Sequence, residues 1–276
     1  MNNRIDVSIV LYKTNMHQLE RALNSLIPCF CVERIHLIDN SPDDSLSYFV
    51  RLDNRISYTH TKQNIGFGAG HNIALRRSLS SKVKYHLVLN ADVYFDYDVI
   101  DKLITFMNAN SDVGLVMPKV FYPNGDVQYL CKLLPNPFDL IIRRFLPNIY
   151  FFKNLSDKFE LRRSGYDRLL NVPYLSGCFM FLRVSALAEV GIFDERFFMY
   201  PEDIDLSRRI HEKFRTIFYP DAFVFHEHGK ASYRSKKMLF IHAINLARYF
   251  NKWGWFFDGK RKKINATVLD SLSSYE

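Results

Sequence analysis

The stretch "FDERFFMYPEDIDL" sets five acids, Asp194, Glu195, Glu202, Asp203 and Asp205, within twelve residues and among aromatics. Carboxylates so clustered can divide two tasks. One can hold a divalent cation through hard oxygen ligands. Another, kept off the metal, can take a proton from an attacking hydroxyl. The bland alternative is that Glu202 and Asp203 only complement the dipole of a helix N-terminus. A second polar pair, Asn90 and Asp92, stops the apolar run of "YHLVLNADVYFD". Asn and Asp punctuate strand ends as turn residues, but at the mouth of a sheet they could equally meet a metal or a phosphate. "FVFHEHG" places His226 and His228 on one side of a strand, each a candidate ligand or an ordinary histidine. "NIGFGAGHN", residues 64–72, is a glycine-rich approach to a helix. Its glycines allow close backbone approach, and a helix N-terminus favours phosphate. No Gly-Lys-Ser/Thr follows as in a P-loop, and the dinucleotide fingerprint does not fit.

These groups need elements to hold them. "VSIVLY" is a short β-branched run and predicts a buried strand. Met16, Leu19, Leu23 and Leu26 recur at helical spacing behind Asn15, a fitting N-cap. "RIHLIDN" predicts a strand ending at Asp39, and "RISYTH" a third, short one. A helix begins near Gly70, "YHLVLN" is the next strand, and Ile100, Leu103, Ile104 and Met107 mark a helix before the strand "VGLVMPKV". The alternation implies an α/β fold with a mostly parallel central sheet. In such sheets ligands bind beyond the carboxyl ends of the strands. Asp39-Asn40 and Asn90-Asp92 fall at two such ends. Further on, "FYPNGDVQYL" carries an Asn-Gly hairpin signal. Residues 132–172 read as an irregular insert, "VPYLSGCFMFLRV" as one strand, "EDIDLSRRIHEKF" as a helix, and "RTIFYP" and "AFVFH" as two short strands.

Composition bounds the rest. With 276 residues, 48% hydrophobic and 24% charged, the chain can bury a substantial core and is not expected to be disordered. The net charge of +8 is uneven: residues 229–276 carry ten Lys/Arg against three Asp/Glu. A basic tail on a near-neutral body points to an anionic partner or to a solvated face. One helix is expected from about Ser235 to Lys252, with Leu239, Phe240, Ala243, Ile244, Leu246, Ala247 and Phe250 on one arc and Lys237, Arg248 and Lys252 opposite. "WGWFF" and "GKRKK" follow. Such a segment either lies on a membrane surface or packs on the core. A nucleic-acid partner would account for the tail but not for the acidic cluster. Cys29, Cys31, Cys131 and Cys178 show no metal-binding spacing and read as free thiols of a reducing cytosol. "MNNRID" does not read as a signal peptide, and no stretch reaches the roughly 18 apolar residues of a spanning helix.

Seven segments in order resemble inverting family-2 glycosyltransferases of the GT-A fold: "VSIVLYK", "LIDNSPDD", "QNIGFGAGHNIAL", "LVLNADVYF", "PYLSGCFMFLR", "VGIFDERFFMYPEDIDLSRRI" and "FVFHEHGKAS". They are particularly similar to the rhamnosyltransferase-like branch that builds bacterial surface polysaccharides, such as O-antigen or capsule. The resemblance covers about residues 5–232 as the catalytic domain and leaves 233–276 as a tail. It implies a donor-base contact at Asp39, with Asn40 and Asp43 nearby. Asn64, Gly66 and Phe67 would border the nucleotide. Asn90-Ala91-Asp92 takes the metal-motif position, with Asn90 where the first acid is usual and Asp92 as the charged ligand. Asp203 matches the catalytic base, beside Glu202. His226 or His228 matches a late histidine near metal or pyrophosphate. Ser176 and Gly177 would line the acceptor floor. "VLYK" departs from the family's usual Pro-Thr-Tyr-Asn at the place of the donor-base contacts, here near Tyr12 and Lys13. The implied cofactor is Mg²⁺ or Mn²⁺. The implied partners are a UDP- or dTDP-sugar, a polyprenyl-diphosphate-linked saccharide and the inner leaflet, met through the tail by a cytoplasmic, peripheral enzyme. No nucleic acid is implied.

Two rival classes bear on the same residues. A nucleotidyltransferase also joins an α/β sheet to a carboxylate-bound metal, but it usually has a Gly-rich, basic loop directly after the first strand, where this chain reads "LYKTNMHQ". A sugar-nucleotide-binding pseudoenzyme is the other, motivated by Asn90.

Overall fold

The β-branched run after Asp6 forms β1 (Ile5–Leu11), and β2 (Val32–Asp39), β3 (Ile56–His60) and β4 (Tyr85–Leu89) lie parallel beside it. The computed structural model describes residues 3–140, 150–227 and 236–273. Between these strands run α1 (Met16–Leu26) and α2 (Phe67–Ser80). Asn15 caps α1 as its position predicts, its side chain accepting from the His17 amide at 2.9 Å. After β4 come β5 (Val93–Tyr94), α3 (Asp98–Ala109) and β6 (Val113–Phe121).

The second half threads back into the same sheet. β7 (Cys131–Lys132), α4 (Tyr150–Phe159), β8 (Leu170–Asn171), β9 (Tyr174–Leu175) and β10 (Phe179–Arg183) lead to α5 (Val184–Val190), α6 (Pro201–His211) and β11 (Arg215–His226). The main sheet runs β3-β2-β1-β4-β10-β6-β11-β5, with β8 on β11, and β7 and β9 form a small second sheet. β10 enters antiparallel between β4 and β6, while β6 and β11 return to the direction of the first four strands. The mostly parallel α/β architecture is therefore present.

Helices cover both faces, which explains why the central strands are buried on both sides rather than alternately exposed. Leu19 and Leu23 of α1 and Ile100 and Leu103 of α3 pack on one face. Leu75 of α2, Leu187 of α5 and Leu206 and Ile210 of α6 pack on the other. A buried polar chain locks α2 to the sheet. Asp6 accepts from Ser78 Oγ at 2.7 Å, and Ser78 Oγ meets His86 Nδ1 at 2.8 Å. His86 Nε2 meets Ser8 Oγ at 2.8 Å, which meets His71 Nδ1 at 2.7 Å. Burial holds both imidazoles neutral.

Three sequence expectations change. "VPYLSGCFMFLRV" is two strands, because Ser176-Gly177-Cys178 leaves the ladder and turns toward α6. "RTIFYP" and "AFVFH" are one strand, with a register shift between Tyr219 and Phe223 around Pro220, which has no N–H to give. The expected irregular insert is partly regular and packed: Leu133, Phe159, Leu161, Tyr166 and Leu170 join the core.

The C-terminal segment forms two helices, α7 (Lys236–Trp253) and α8 (Gly259–Ser273). The expected apolar arc of α7 divides. Phe250 and its neighbour Tyr249 are buried in a third cluster with Phe197 and Ile204, while Phe240 and Ile244 are exposed. The two basic residues of the opposite face that can be placed are taken by protein partners. Arg248 donates to the Arg196 carbonyl at 2.6 Å, and Lys252 pairs with Asp205 at 2.6 Å and Asp194 at 2.9 Å. Below them Arg208 of α6, 1% exposed, forms a bidentate pair with Asp258 at 2.7 and 3.0 Å, its guanidinium over the Trp253 ring. No described helix is long and apolar enough to cross a membrane.

Candidate active site

A cleft of about 1190 Å³ opens where the loops after β4 and β11 meet the N-terminus of α6. Pro201 begins α6 with its φ already set for a helix. Tyr200 before it sits at φ 93°, a strained value of the kind found at functional sites. Asp203, in the first turn, lies at the cleft floor. Its Oδ2 accepts the Gly177 amide at 3.0 Å and faces the Tyr174 hydroxyl at 3.5 Å, and its Oδ1 accepts the Ile204 amide at 2.8 Å. The break in the strand is what frees the Gly177 amide. A side chain there would crowd the site, since a Cβ would lie 3.2 Å from that of Asp203 and 3.3 Å from the Phe67 ring.

Burial raises the Asp203 carboxyl above the usual 3.8, although the amides and Lys132 pull the other way. Glu202 beside it is 3% exposed and is raised too, by burial first and then by the Asp203 charge. Its Oε2 has no hydrogen-bond partner among the described residues. The other three acids of the cluster are committed to structure. Asp194 pairs with Arg196 and Lys252, Glu195 with Arg76, and Asp205 with Arg209 and Trp253. A dipole role alone would not need both first-turn acids in the cleft wall.

Across the cleft, the Asn90 amide donates to the Cys178 carbonyl at 2.9 Å. Asp92 Oδ1 lies 3.3 Å from His226 Nε2. The His226 ring is set by Gln128, whose Oε1 takes Nδ1 at 2.9 Å and whose Nε2 donates to the His226 carbonyl at 2.7 Å. Burial opposes the imidazolium, but the Cys178 sulfur and the Asp92 carboxylate outweigh it and push His226 up to about 10. Two of the expected metal ligands thus stand together, and His228 lies outside the described residues. Among the described residues no three His, Cys, Asp or Glu side chains gather at one point. A carboxylate oxygen and an oriented imidazole fit Mn²⁺ or Mg²⁺ only where the cation displaces the His226 Nε2 proton and diphosphate and water oxygens complete the shell.

A family model described as "Glycosyl transferase family 2" matches residues 7–191. The chain belongs to glycosyl transferase family 2. This glycosyltransferase is 27% identical over 252 residues to the N-acetylglucosaminyl-diphospho-decaprenol L-rhamnosyltransferase of Mycobacterium tuberculosis, covering 85% of this chain and 79% of that one. Its fold matches S. aureus TarS 1-349 in complex with UDP-GlcNAc, with TM-score 0.60 and 14% identity over 99% of this chain and 73% of that one. It also matches GalNAc-T7 with UDP, GalNAc and Mn2+, with TM-score 0.60 and 15% identity over 81% of this chain, and there it spans only 43% of the other chain. These likenesses show the GT-A fold.

In the glycosyltransferase the expected donor residues form a buttress beside the cleft. Asp39 is fully buried, its carboxylate taken by the Tyr58 hydroxyl at 2.7 Å and the Ser41 amide at 2.8 Å. Asn40 donates to the Gly66 carbonyl at 3.1 Å, and Asn64 accepts the Gly66 amide at 3.0 Å. Tyr12 is half exposed at the end of β1. Of this group Phe67 reaches the cleft wall, where Asn90, Ser176, Gly177, Glu202, Asp203 and His226 also stand. Gln128, Lys132, Tyr174 and Tyr200 line the cleft as well and were missed in the sequence. The Asn-Gly hairpin marks the approach to Gln128 and Lys132, but nothing in its pattern aims them at Asp203 or His226.

Proposed function

We propose that the chain moves a hexose or rhamnose from a UDP- or dTDP-sugar to a hydroxyl of a saccharide acceptor held on a lipid diphosphate, with inversion at the anomeric carbon. The observation that carries this reading is Asp203, a carboxylate of raised pKa fixed by two backbone amides in the floor of a large cleft. Such a group takes a proton well near neutral pH. Held off the Asp92 and His226 pair, it is free to act on the acceptor hydroxyl as that oxygen attacks. Attack from the face opposite the departing nucleoside diphosphate inverts the configuration without a covalent enzyme intermediate.

Asp92 and His226, with the Asn90 oxygen as a further donor, would hold Mg²⁺ or Mn²⁺. A bound cation supplies charge stabilisation for the leaving diphosphate. Phe67 and the Gly66 loop border the donor, and Ser176, Gly177 and Glu202 the acceptor side. The acceptor class follows the name of the mycobacterial relative, an N-acetylglucosaminyl-diphospho-decaprenol L-rhamnosyltransferase. On this reading the reaction runs at the inner face of a bacterial membrane, in synthesis of a surface polysaccharide such as an O-antigen or capsule.

The test is a screen of UDP- and dTDP-sugars against a polyprenyl-diphosphate GlcNAc acceptor, read by mass spectrometry. A glycosylated lipid with release of nucleoside diphosphate is expected. Pyrophosphate released from a nucleoside triphosphate would instead identify a nucleotidyltransferase.

A further inference from the structure

The turn between α7 and α8 exposes an aromatic cluster. Phe257 is 95% exposed, Phe256 51% and Trp255 42%. Phe138, from the segment after β7, joins them with its ring 5.7 Å from that of Phe256. In water this arrangement costs free energy, and a contiguous apolar patch of this kind marks an interaction surface.

The turn is nevertheless held rigidly from beneath. Arg261 is buried, and its guanidinium donates to the carbonyls of Gly254, Trp255 and Phe256 at 3.2–3.4 Å and to that of Pro135 at 3.3 Å. The backbone oxygens face a cation inside the protein while the rings face outward. A loop entering an apolar medium must have its backbone polar groups satisfied internally, and here the carbonyls of Gly254, Trp255 and Phe256 already are. Lys262 and Lys263 follow in the first turn of α8 and are exposed. Aromatic rings beside lysines suit the boundary between lipid headgroups and acyl chains.

We propose that this tip, Trp255 to Phe257 with Phe138, docks the protein on an anionic lipid bilayer. The inference deepens the reading of a lipid-linked acceptor and rests on it for its purpose. Leu140, two residues beyond Phe138, lines the cleft, as does Leu246 of α7. Trp255 packs on Phe250, and both leucines pack on the cluster that contains Phe250, so packing joins the tip to the cleft wall, where a diphosphate-linked saccharide would arrive from the membrane. The membrane contact expected of residues 233–276 thus narrows to the turn between α7 and α8.

The test uses the full chain in sedimentation with phosphatidylcholine vesicles, with and without phosphatidylglycerol. Wild type is expected to bind the anionic vesicles. Phe256→Ser with Phe257→Ser should weaken binding roughly tenfold per ring, with an unchanged melting temperature because both side chains are exposed. Lys262→Gln with Lys263→Gln should lose about fivefold per lysine on anionic vesicles and nothing on neutral ones. Transfer to a vesicle-held acceptor should fall in the phenylalanine variant, while transfer to a water-soluble acceptor analogue stays at the wild-type rate. Wild-type-like sedimentation of that variant, or no binding of wild type to anionic vesicles, overturns the proposal. If docking depends on Phe256 and Phe257 but no lipid-diphosphate saccharide is glycosylated, the acceptor reading fails and the docking stands.

Discussion

Asp203 and Glu202 are neighbours with different work, and the difference can be measured. Asp203→Asn removes the proposed base and keeps the side chain's shape, although its single oxygen can accept only one of the Gly177 and Ile204 amides; turnover should fall by about 10²–10⁴-fold while calorimetry shows donor affinity unchanged. In the wild type the acid limb of the rate profile should lie above the ordinary aspartate range, because burial raises the Asp203 pKa and the base works only when deprotonated. Glu202 bears on stability. Its folded-state pKa is raised above the ordinary 4.5, so the native state binds the extra proton and loses stability as pH climbs above that value. Glu202→Gln should therefore raise the melting temperature at pH 9 and lose that advantage near pH 4.5; a pH-independent effect would contradict a buried acid. Asp92→Ala should abolish the Mn²⁺-dependent part of nucleotide affinity, and equal affinity with and without the side chain would remove Asp92 from the metal. Asp203, Asn90 and His226 were legible because each ends a strand or begins a helix, where local pattern fixes direction. Lys132, Gln128 and Tyr174 were not, since they sit on short strands and loops whose aim is decided by the long-range pairing of β7 with β9.

Among the elements, α2 shows most directly how a backbone requirement shapes the donor wall. Gly66, the cap of α2, has φ 92°, and a Cβ there would lie 2.3 Å from the Phe198 carbonyl oxygen, which in turn accepts the Phe67 amide at 3.1 Å. Gly66→Ala should cost about 1–3 kcal/mol from the positive-φ backbone alone, with the clash in addition. It should also raise KM for the donor more than it lowers kcat; thermal melts and steady-state kinetics on one preparation check both. The parallel strands were readable as β-branched runs between helical periodicities, and Asn15 as a cap. The break at Gly177 was not. "SGC" is small and weakly polar inside an apolar run, and only the Asp203 carboxylate across the cleft draws its amide out of the ladder.

For the whole molecule, the C-terminal segment matters most. An amphipathic arc reads the same whether it will meet lipid or protein, because both are apolar, so the sequence left the two open. The Arg208–Asp258 pair ties at least part of the segment to α6. Asp258→Ala leaves a guanidinium buried without its partner and should cost about 3–5 kcal/mol, lowering Tm by roughly 6–20 °C in a chain of this size. Deleting residues 233–276 strips the same partner and Trp253 from α6. That truncation should yield aggregated protein in size-exclusion chromatography, and so tests folding rather than membrane attachment. The same pair has a consequence for inheritance. Arg208 stands five residues after Asp203, and Asp258 one residue after the aromatic tip. Across related sequences, positions 208 and 258 should therefore change together or not at all, and a tail exchanged between distant relatives should be accepted only with its matching residue on α6.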